Sequence, residues 1–596
     1  MDKKNYLIGG LLIVAAFASL YLGQKFAPPA TVPPPVSTVV SPADTTSAAS
    51  AASAPSAGSN ATFTALAKAP AHATITTLQN AYIAVNFTDF GGAIRDVGLR
   101  KFPAELNHPE PYVFNALHSD PMLAFTDFPG LDANTPFELV SSTATEVVYR
   151  AVLGQQLEVI RRYSLVAQPD DTHDPYQLRS EITLRNLTEK FLPVARISLS
   201  LGTIAPVSDS VYGQKVTTGY STGSDQTFIA RTQLEGGSGF FGIGASDPKP
   251  SVTSGGPIVW AALTNQFFTG ILTPDQPGVG LLTHRVKLRP LAPDDQHNAY
   301  GLAAAAQFDV KPLPAHGESK LGFSFYVGPK EYHRLSNADI FKVDQDKVMQ
   351  FGFFKWFSQI LLTLMTWVHK GIPNWGYAII VTTLILKIVF VPFTLAASRS
   401  AKRMQKIQPE MQAVREKFKD NPEKLQAATM ELFKKHKVNP VGGCIPILIT
   451  MPFFFGFYQM LQGAAELRFQ PFLWALDLSA PDTVGHVFGI AVNIMPLLMG
   501  ATMIFQQRLT PQPSVDNAQM KMLKFMPWIF ILFCYSFSCA LALYSTINGL
   551  FTIGQQLVIN RMKDVGDTAG PGAIAVENAA AFAGKPVKNV TPKKKK

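Results

Sequence analysis

Trp375–Leu395 reads WGYAIIVTTLILKIVFVPFTL, an apolar stretch interrupted by a single charge, Lys387. A run this long and this apolar predicts a membrane-spanning helix. Lys387 lies twelve residues after Trp375 and twelve before Arg399. At about 1.5 Å of rise per residue both are roughly 18 Å away, which puts the ammonium near the bilayer midplane. A charge at that depth costs roughly 3 kcal/mol or more on an insertion scale. The span contains no Asp or Glu to pair with it. An ionisable group held in so unfavourable a place points to function.

Outward from this span, charge divides the 596-residue chain into unlike parts. Residues 28–346 carry 22 Lys+Arg and 29 Asp+Glu, a net of −7, whereas residues 347–596 carry 27 and 12, a net of +15. Basic charge can mean nucleic acid, but here it falls in loops between apolar stretches, which favours a membrane. The three cysteines, Cys444, Cys534 and Cys539, all lie in predicted spans. They form neither a disulfide framework nor a zinc-ligand spacing, so no metal or cofactor is expected.

The chain opens with charged residues before the apolar stretch Tyr6–Phe26. It reads as a retained first span over residues 1–27, being long for a signal-peptide core and lacking a clean cleavage site; a cleaved signal peptide is the alternative. Residues 28–62 are Pro, Ala, Ser and Thr with almost no charge, a composition that predicts a disordered linker. Residues 63–338 predict one large antiparallel β-sandwich. In Tyr176–Arg185 (YQLRSEITLR), Leu178, Ile182 and Leu184 alternate with polar residues, and Tyr82–Phe87 and Leu157–Val166 read similarly. No catalytic constellation stands out there, and the scattered histidines read as surface or structural. Within 339–370, Val348–Lys370 is aromatic and apolar but carries Lys355 and His369, which predicts an amphipathic helix lying in the membrane interface.

Further spans are expected at 371–397 and within 441–560, as Val441–Gln462, Val484–Phe505 and a pair within Phe525–Ile559 that turns near Ser536–Ala540. With the first span that makes six, five of them a helical core. Loop charge fits alternation: Ser398–Val438 holds eleven Lys+Arg, Gly463–Thr483 only Arg468, Gln506–Lys524 three, and the tail from Asn560 eight. Both termini are then cytoplasmic and the sandwich lies outside.

The basic segment 398–440 predicts a helical hairpin. Met404, Ile407, Met411, Val414 and Phe418 step by 3, 4, 3 and 4 within Arg399–Lys419. Asn421 and Pro422 then supply an N-cap and first turn for a second helix carrying Leu425, Ala428 and Leu432. Its cations, Arg399, Lys402, Arg403, Lys406, Arg415, Lys417 and Lys419, are either a topology signal on a solvated face or a docking arm for an anionic partner. Lys593, Lys594, Lys595 and Lys596, in the basic tail 561–596, pose the same pair of readings.

Val438-Asn439-Pro440-Val441-Gly442-Gly443-Cys444-Ile445-Pro446, followed by Pro452 and Tyr458, resembles the YidC/Oxa1/Alb3 family of membrane protein insertases. Asn374-Trp375-Gly376, Pro392 and Asp477-Leu478-Ser479 also fit, and the resemblance to the long Gram-negative type extends over essentially the whole chain. It implies a polytopic α-helical membrane protein with a five-span Oxa1-like core, a large periplasmic antiparallel β-sandwich, and a Gram-negative inner-membrane location. It implies a hydrophilic groove open to cytoplasm and lipid, whose single charge falls on Lys387 and whose groove-lining threonine falls on Thr383, one turn earlier on the same face. Two departures stand out. The usual groove residue is arginine, so its bidentate fork is lost here. The last turn, Tyr535–Ala540, lacks the Pro and Gly often found in the family, and Tyr544 is kept while Ser545 replaces a second aromatic.

The implied activity is insertion and folding of nascent membrane proteins without covalent catalysis or cofactor. Lys387 would attract acidic translocated tails, with Thr383, Gln459, Tyr544, Ser545 and Asn548 lining the groove. The implied partners are nascent chains, the Sec translocon with its accessory subunits, the ribosome and membrane lipid. Oligomeric state is left open, with a monomer the simplest working unit. An ion- or solute-coupled transporter using Lys387 as counter-charge is the alternative, although the internal repeats and paired ionisable relay usual in transporters are missing from the sequence. No phosphate-binding G-x-x-x-x-G-K-[ST] loop is present either.

Overall fold

The structure, a computed structural model, describes residues 73–561 apart from 118–119, 129, 167–172, 194–195, 208–214, 237–246, 289–299, 343, 420, 437–444 and 510–517. The expected first span, the linker, the basic tail and most of the Val438–Pro446 motif lie outside the described residues. The described residues form two compact units, a β unit up to Gln350 with Gln462–Glu466, and a helical unit of Phe351–Leu461 and Leu467–Arg561.

The β unit is antiparallel throughout its described ladders. Its largest sheet has nine strands, in spatial order Gln226–Ala230, Thr217–Ser221, Trp260–Thr264, Phe268–Pro274, Glu318–Pro329, Gln177–Asn186, Leu157–Leu165, Glu146–Leu153 and Glu138–Ser142. A four-stranded sheet, Ser251–Ile258, Gly278–Lys287, Tyr300–Asp309 and Arg196–Ile204, supplies the other large layer. A third sheet runs Ile75–Gln79, Ile83–Thr88, Ala93–Pro103 and Pro111–Phe114.

Alternation drives this packing. Leu178, Ile182 and Leu184 are buried while Arg179 and Arg185 face solvent, as a period of two requires. Between the two large sheets the hydroxyls of Thr218 and Thr283 meet at 2.9 Å, and Phe308 meets Phe323 edge to face. Arg161 is fully buried, donating to the carbonyls of Gly91 (2.6 Å) and Leu123, with its guanidinium over the rings of Phe125 and Tyr163. Burial pushes the Tyr163 phenol up to about 12, and that phenol donates to Gly92 O at 2.8 Å.

Val348–Lys370 is not one helix. Short 3-10 turns cover Gln345–Met349 and Gly352–Phe354, and α1 spans Lys355–Gly371. Gly352, at φ 66°, breaks the path that a continuous helix would need. Helix α1 is amphipathic: Phe357, Leu361, Leu362, Met365 and Val368 are buried, while Trp356, Ile360 and Trp367 are exposed.

Helix α2 runs Trp375–Lys406, straight from the quoted span into the basic segment. Among the described residues, Trp375–Ala396 is the one helix long and apolar enough by itself to cross a membrane. The helix continues past the expected span end at residue 397 as far as Lys406. The chain turns at Ile407, and α3 (Gln408–Lys417) starts with Pro409 in its first turn, so Arg399–Lys419 is two helices. Helix α4, Pro422–Lys435, is capped by Asn421, whose Oδ1 accepts from Lys424 N at 3.1 Å. Ile407, Met411 and Leu432 are buried where the hairpin closes, and His436 Nε2 meets Glu410 Oε2 at 3.0 Å.

Helix α5 spans Ile445–Gly463. The expected span Val484–Phe505 is overturned in its first half. Thr483–Val487 and Ile490–Asn493 form a β-hairpin, and α6 covers only Ile494–Leu509. Two glycines among β-branched residues, Gly485 and Gly489, disfavour helix, and Phe488-Gly489 makes the turn with φ of 51° and 78°. Helices α7 (Ala518–Cys534) and α8 (Cys539–Arg561) flank the turn anticipated at Ser536–Ala540. Helix α8 packs against both α2 and α6.

Candidate functional site

The site forms where α8 lies along α2. Four polar residues of α8, Ser545, Asn548, Thr552 and Gln555, recur at steps of 3, 4 and 3, so they share one helical face. On α2, Thr383, Lys387 and Thr394 recur at steps of 4 and 7 on a common face. Lys387 Nζ donates to Thr552 Oγ1 at 3.0 Å, and Gln555 Nε2 donates to Thr394 Oγ1 at 2.6 Å. Both contacts advance in the same direction along the two helices, so α2 and α8 run parallel.

Lys387 is half-buried, and its hydrogen-bond partner is a neutral hydroxyl. Among the described residues no carboxylate forms an ion pair with it. Its neighbours Ile388 and Val389 are exposed, so the apolar flank of α2 turns outward while the ammonium turns toward α8. The Thr552 hydroxyl is itself anchored, donating to Asn548 O at 2.7 Å in the preceding turn. The ammonium is thus fixed by a backbone-anchored hydroxyl and keeps donors to spare.

Of the residues singled out from sequence, Thr383 is buried, with its hydroxyl donating to Ile379 O at 2.7 Å. Ser545 and Asn548 are half-buried on the α8 stripe, and Ser545 Oγ has no hydrogen-bond partner among the described residues. Tyr544 is buried and stacks on Phe457, ring centroids 4.0 Å apart, which makes it a packing residue. Gln459 on α5 lies beside Gly352, where an added Cβ would stand 3.5 Å from its Nε2, and no described hydrogen bond joins it to Lys387. Thr552, Gln555 and Thr394 were missed. The 3-4-3 spacing of polar residues on an otherwise apolar last helix is the signal that finds the first two.

Of the basic residues, Lys406 at the end of α2 and Lys417 and Lys419 on the hairpin are exposed, and Arg415 is half-exposed. Lys417 Nζ lies 5.5 Å from the centre of the Phe418 ring. The side chains of Arg399, Lys402 and Arg403, and Lys593–Lys596 entirely, lie outside the described residues. No group of three or more His, Cys, Asp or Glu among the described residues could hold a metal ion.

Comparison with known proteins finds family matches for both parts of the chain. Residues 75–364 match the family described as YidC periplasmic domain, and residues 367–566 match that described as 60Kd inner membrane protein. The membrane protein insertase YidC of Syntrophobacter fumaroxidans is 35% identical over 312 residues, 51% of this chain and 54% of that one. That of Pelobacter propionicus is 42% identical over 244 residues, 40% and 44% of the two chains. The chain thus spans about half the length of the curated relatives it matches. A solved structure described as an active YidC insertase with the first transmembrane domain resolved covers 84% of this chain and 95% of its own, at 16% identity and a TM-score of 0.32. By its matches to both parts, the chain belongs to the YidC family of membrane protein insertases.

Proposed function

We propose that this protein inserts nascent proteins into the bacterial inner membrane and helps them fold, through a hydrophilic groove between α2 and α8. The observation that carries the reading is the polar seam of Lys387, Thr394, Thr552, Gln555 and Ser545 between otherwise apolar helices. A nascent apolar segment partitions into lipid readily, but its polar flank must cross about 30 Å of hydrocarbon. A wet seam halfway across shortens that path. Lys387 attracts acidic residues of the crossing tail, and the hydroxyls and amides of α8 replace part of the tail's hydration. The segment then leaves along the exposed apolar flank of α2 that bears Ile388, Val389 and Phe393. The work is binding and partition, with no covalent step.

In this reading the chain has six spans, both termini are cytoplasmic and the β unit is periplasmic. The parallel course of α2 and α8 supports it, since both then run from the periplasmic to the cytoplasmic side. The protein acts alone or beside the Sec translocon, and the basic hairpin and tail meet the ribosome. Reconstitution into liposomes with a single-span client bearing an acidic tail tests the reading. Tail protection that requires the protein supports it. Solute flux that follows Lys387, with no tail protection, replaces it with a transporter.

A further inference from the structure

The hairpin Thr483–Asn493 has no role in the groove, yet it is built with care. Its base is held by side chains. Asp482 Oδ2 accepts from Met495 N (2.7 Å) and from the Trp474 indole N–H (2.8 Å), Asn493 Nδ2 donates to Tyr535 O (2.8 Å), and Tyr535 OH donates to Ala491 O (2.6 Å). Its far end is apolar and bare. Val484, Val487 and Ile490 are more than half exposed, and Phe488, at the turn, is fully exposed. From Thr483 to Asn493 the sequence contains no Asp, Glu, Lys or Arg.

Two features argue against water as the surroundings of this tip. A two-stranded ribbon exposed on both faces is marginal in water. Phe488 also holds φ of 51°, a conformation costly for a bulky residue, where Asn or Gly would serve the turn better. The position of the hairpin supplies the occupant. Asn493 is followed directly by α6, so the ribbon continues a helix of the membrane unit at its outer end. Exposed Leu473, Trp474 and Leu476 adjoin its base, and the Trp474 and Tyr535 polar atoms are tied down as interfacial aromatics require.

We propose that this hairpin is a lipid anchor whose Val487–Phe488–Ile490 tip enters the headgroup and upper acyl region of the periplasmic leaflet. It rests on the spanning topology proposed above. Bilayer supplies the apolar cover that both faces of the ribbon need, the segment brings no Asp, Glu, Lys or Arg into it, and the headgroup region hydrates the open strand edges and His486. Anchored so, the hairpin fixes the outer end of α6, against which α8 packs.

The test is spin-label accessibility in proteoliposomes of the full chain. Labels go singly at Phe488→Cys, Ile388→Cys and Lys419→Cys in a Cys444→Ser background; Cys534 and Cys539 are buried. The expected Phe488 label collides with oxygen severalfold more than the Lys419 label and with a nickel chelate severalfold less, at a depth shallower than Ile388. Free access of the nickel chelate at Phe488, with Ile388 still deep, overturns the anchor and leaves the topology standing. A Phe488 label shielded from both reagents means a protein covers the tip, which also overturns it. An aqueous Ile388 label removes the spanning topology and the anchor with it.

Discussion

Lys387 Nζ donates to Thr552 Oγ1 at 3.0 Å, and that bond ties the charge of α2 to the polar stripe of α8. A hydrogen bond to a charged group contributes about 1.5–3 kcal/mol, and leaving the charge unpaired costs at least as much. Thr552→Val is expected to destabilise the helical unit by about 1–3 kcal/mol, while Thr552→Ser restores most of it. The double variant Thr552→Val/Lys387→Met should recover stability, because both polar partners are gone. Denaturation midpoints in detergent, arranged as a double-mutant cycle, check this; strictly additive effects would contradict the coupling.

Gly549 lets α8 approach α6. An added Cβ would stand 2.7 Å from Thr502 Oγ1 and 3.0 Å from its Cβ. Gly549→Leu therefore forces the helices apart, with an expected loss of about 1–3 kcal/mol. Thermal unfolding in detergent reads the loss, and an unchanged midpoint would show that the contact carries no strain.

Asn421 caps α4 at 3.1 Å. Asn421→Ala is expected to cost about 1 kcal/mol locally, seen as faster amide exchange in the first turn of α4 with α2 unaffected. If the hairpin docks an anionic partner, replacing Arg415, Lys417 and Lys419 with Gln weakens ribosome cosedimentation and flattens its salt dependence. Cosedimentation indifferent to salt would leave the hairpin as a topology signal.

In the β unit, Lys330 is buried, donating to Asn265 O at 3.1 Å, and burial holds its ammonium down to about 7. The unfolded chain binds this proton up to its ordinary lysine range near 10.5, so folding releases it above about 7. Stability of the β unit is therefore expected to rise with pH from about 7 toward 10, by up to about 1.4 kcal/mol per unit. Lys330→Met should raise the midpoint at neutral pH and flatten the slope. An identical slope in the variant would contradict the assignment.

Much of the architecture was legible because it is driven by period and length. Leu178, Ile182 and Leu184 alternate as a strand must, and Trp375–Ala396 is too long and apolar to be anything but a span candidate. Asn421-Pro422 announces its own helix. What was missed depended on local backbone preference inside apolar runs. Val484–Asn493 is as apolar as a span, yet Gly485 and Gly489 and the β-branched residues turn it into a ribbon. Pro409 split a seam whose heptad steps looked continuous. In the site, Lys387 stood out as a lone charge, whereas Thr552 and Gln555 are uncharged and acquire meaning only once α8 lies against α2.

The most direct measurement compares insertion of a single-span client with an acidic tail by wild type, Lys387→Ala and Lys387→Arg in proteoliposomes. A second client, its tail acids changed to Asn, runs alongside. Capture by Lys387 predicts that Ala slows the acidic client severalfold, that Arg preserves it, and that the neutral-tailed client is nearly indifferent to all three. Equal insertion of the acidic client by wild type and Lys387→Ala would contradict the role given to this charge.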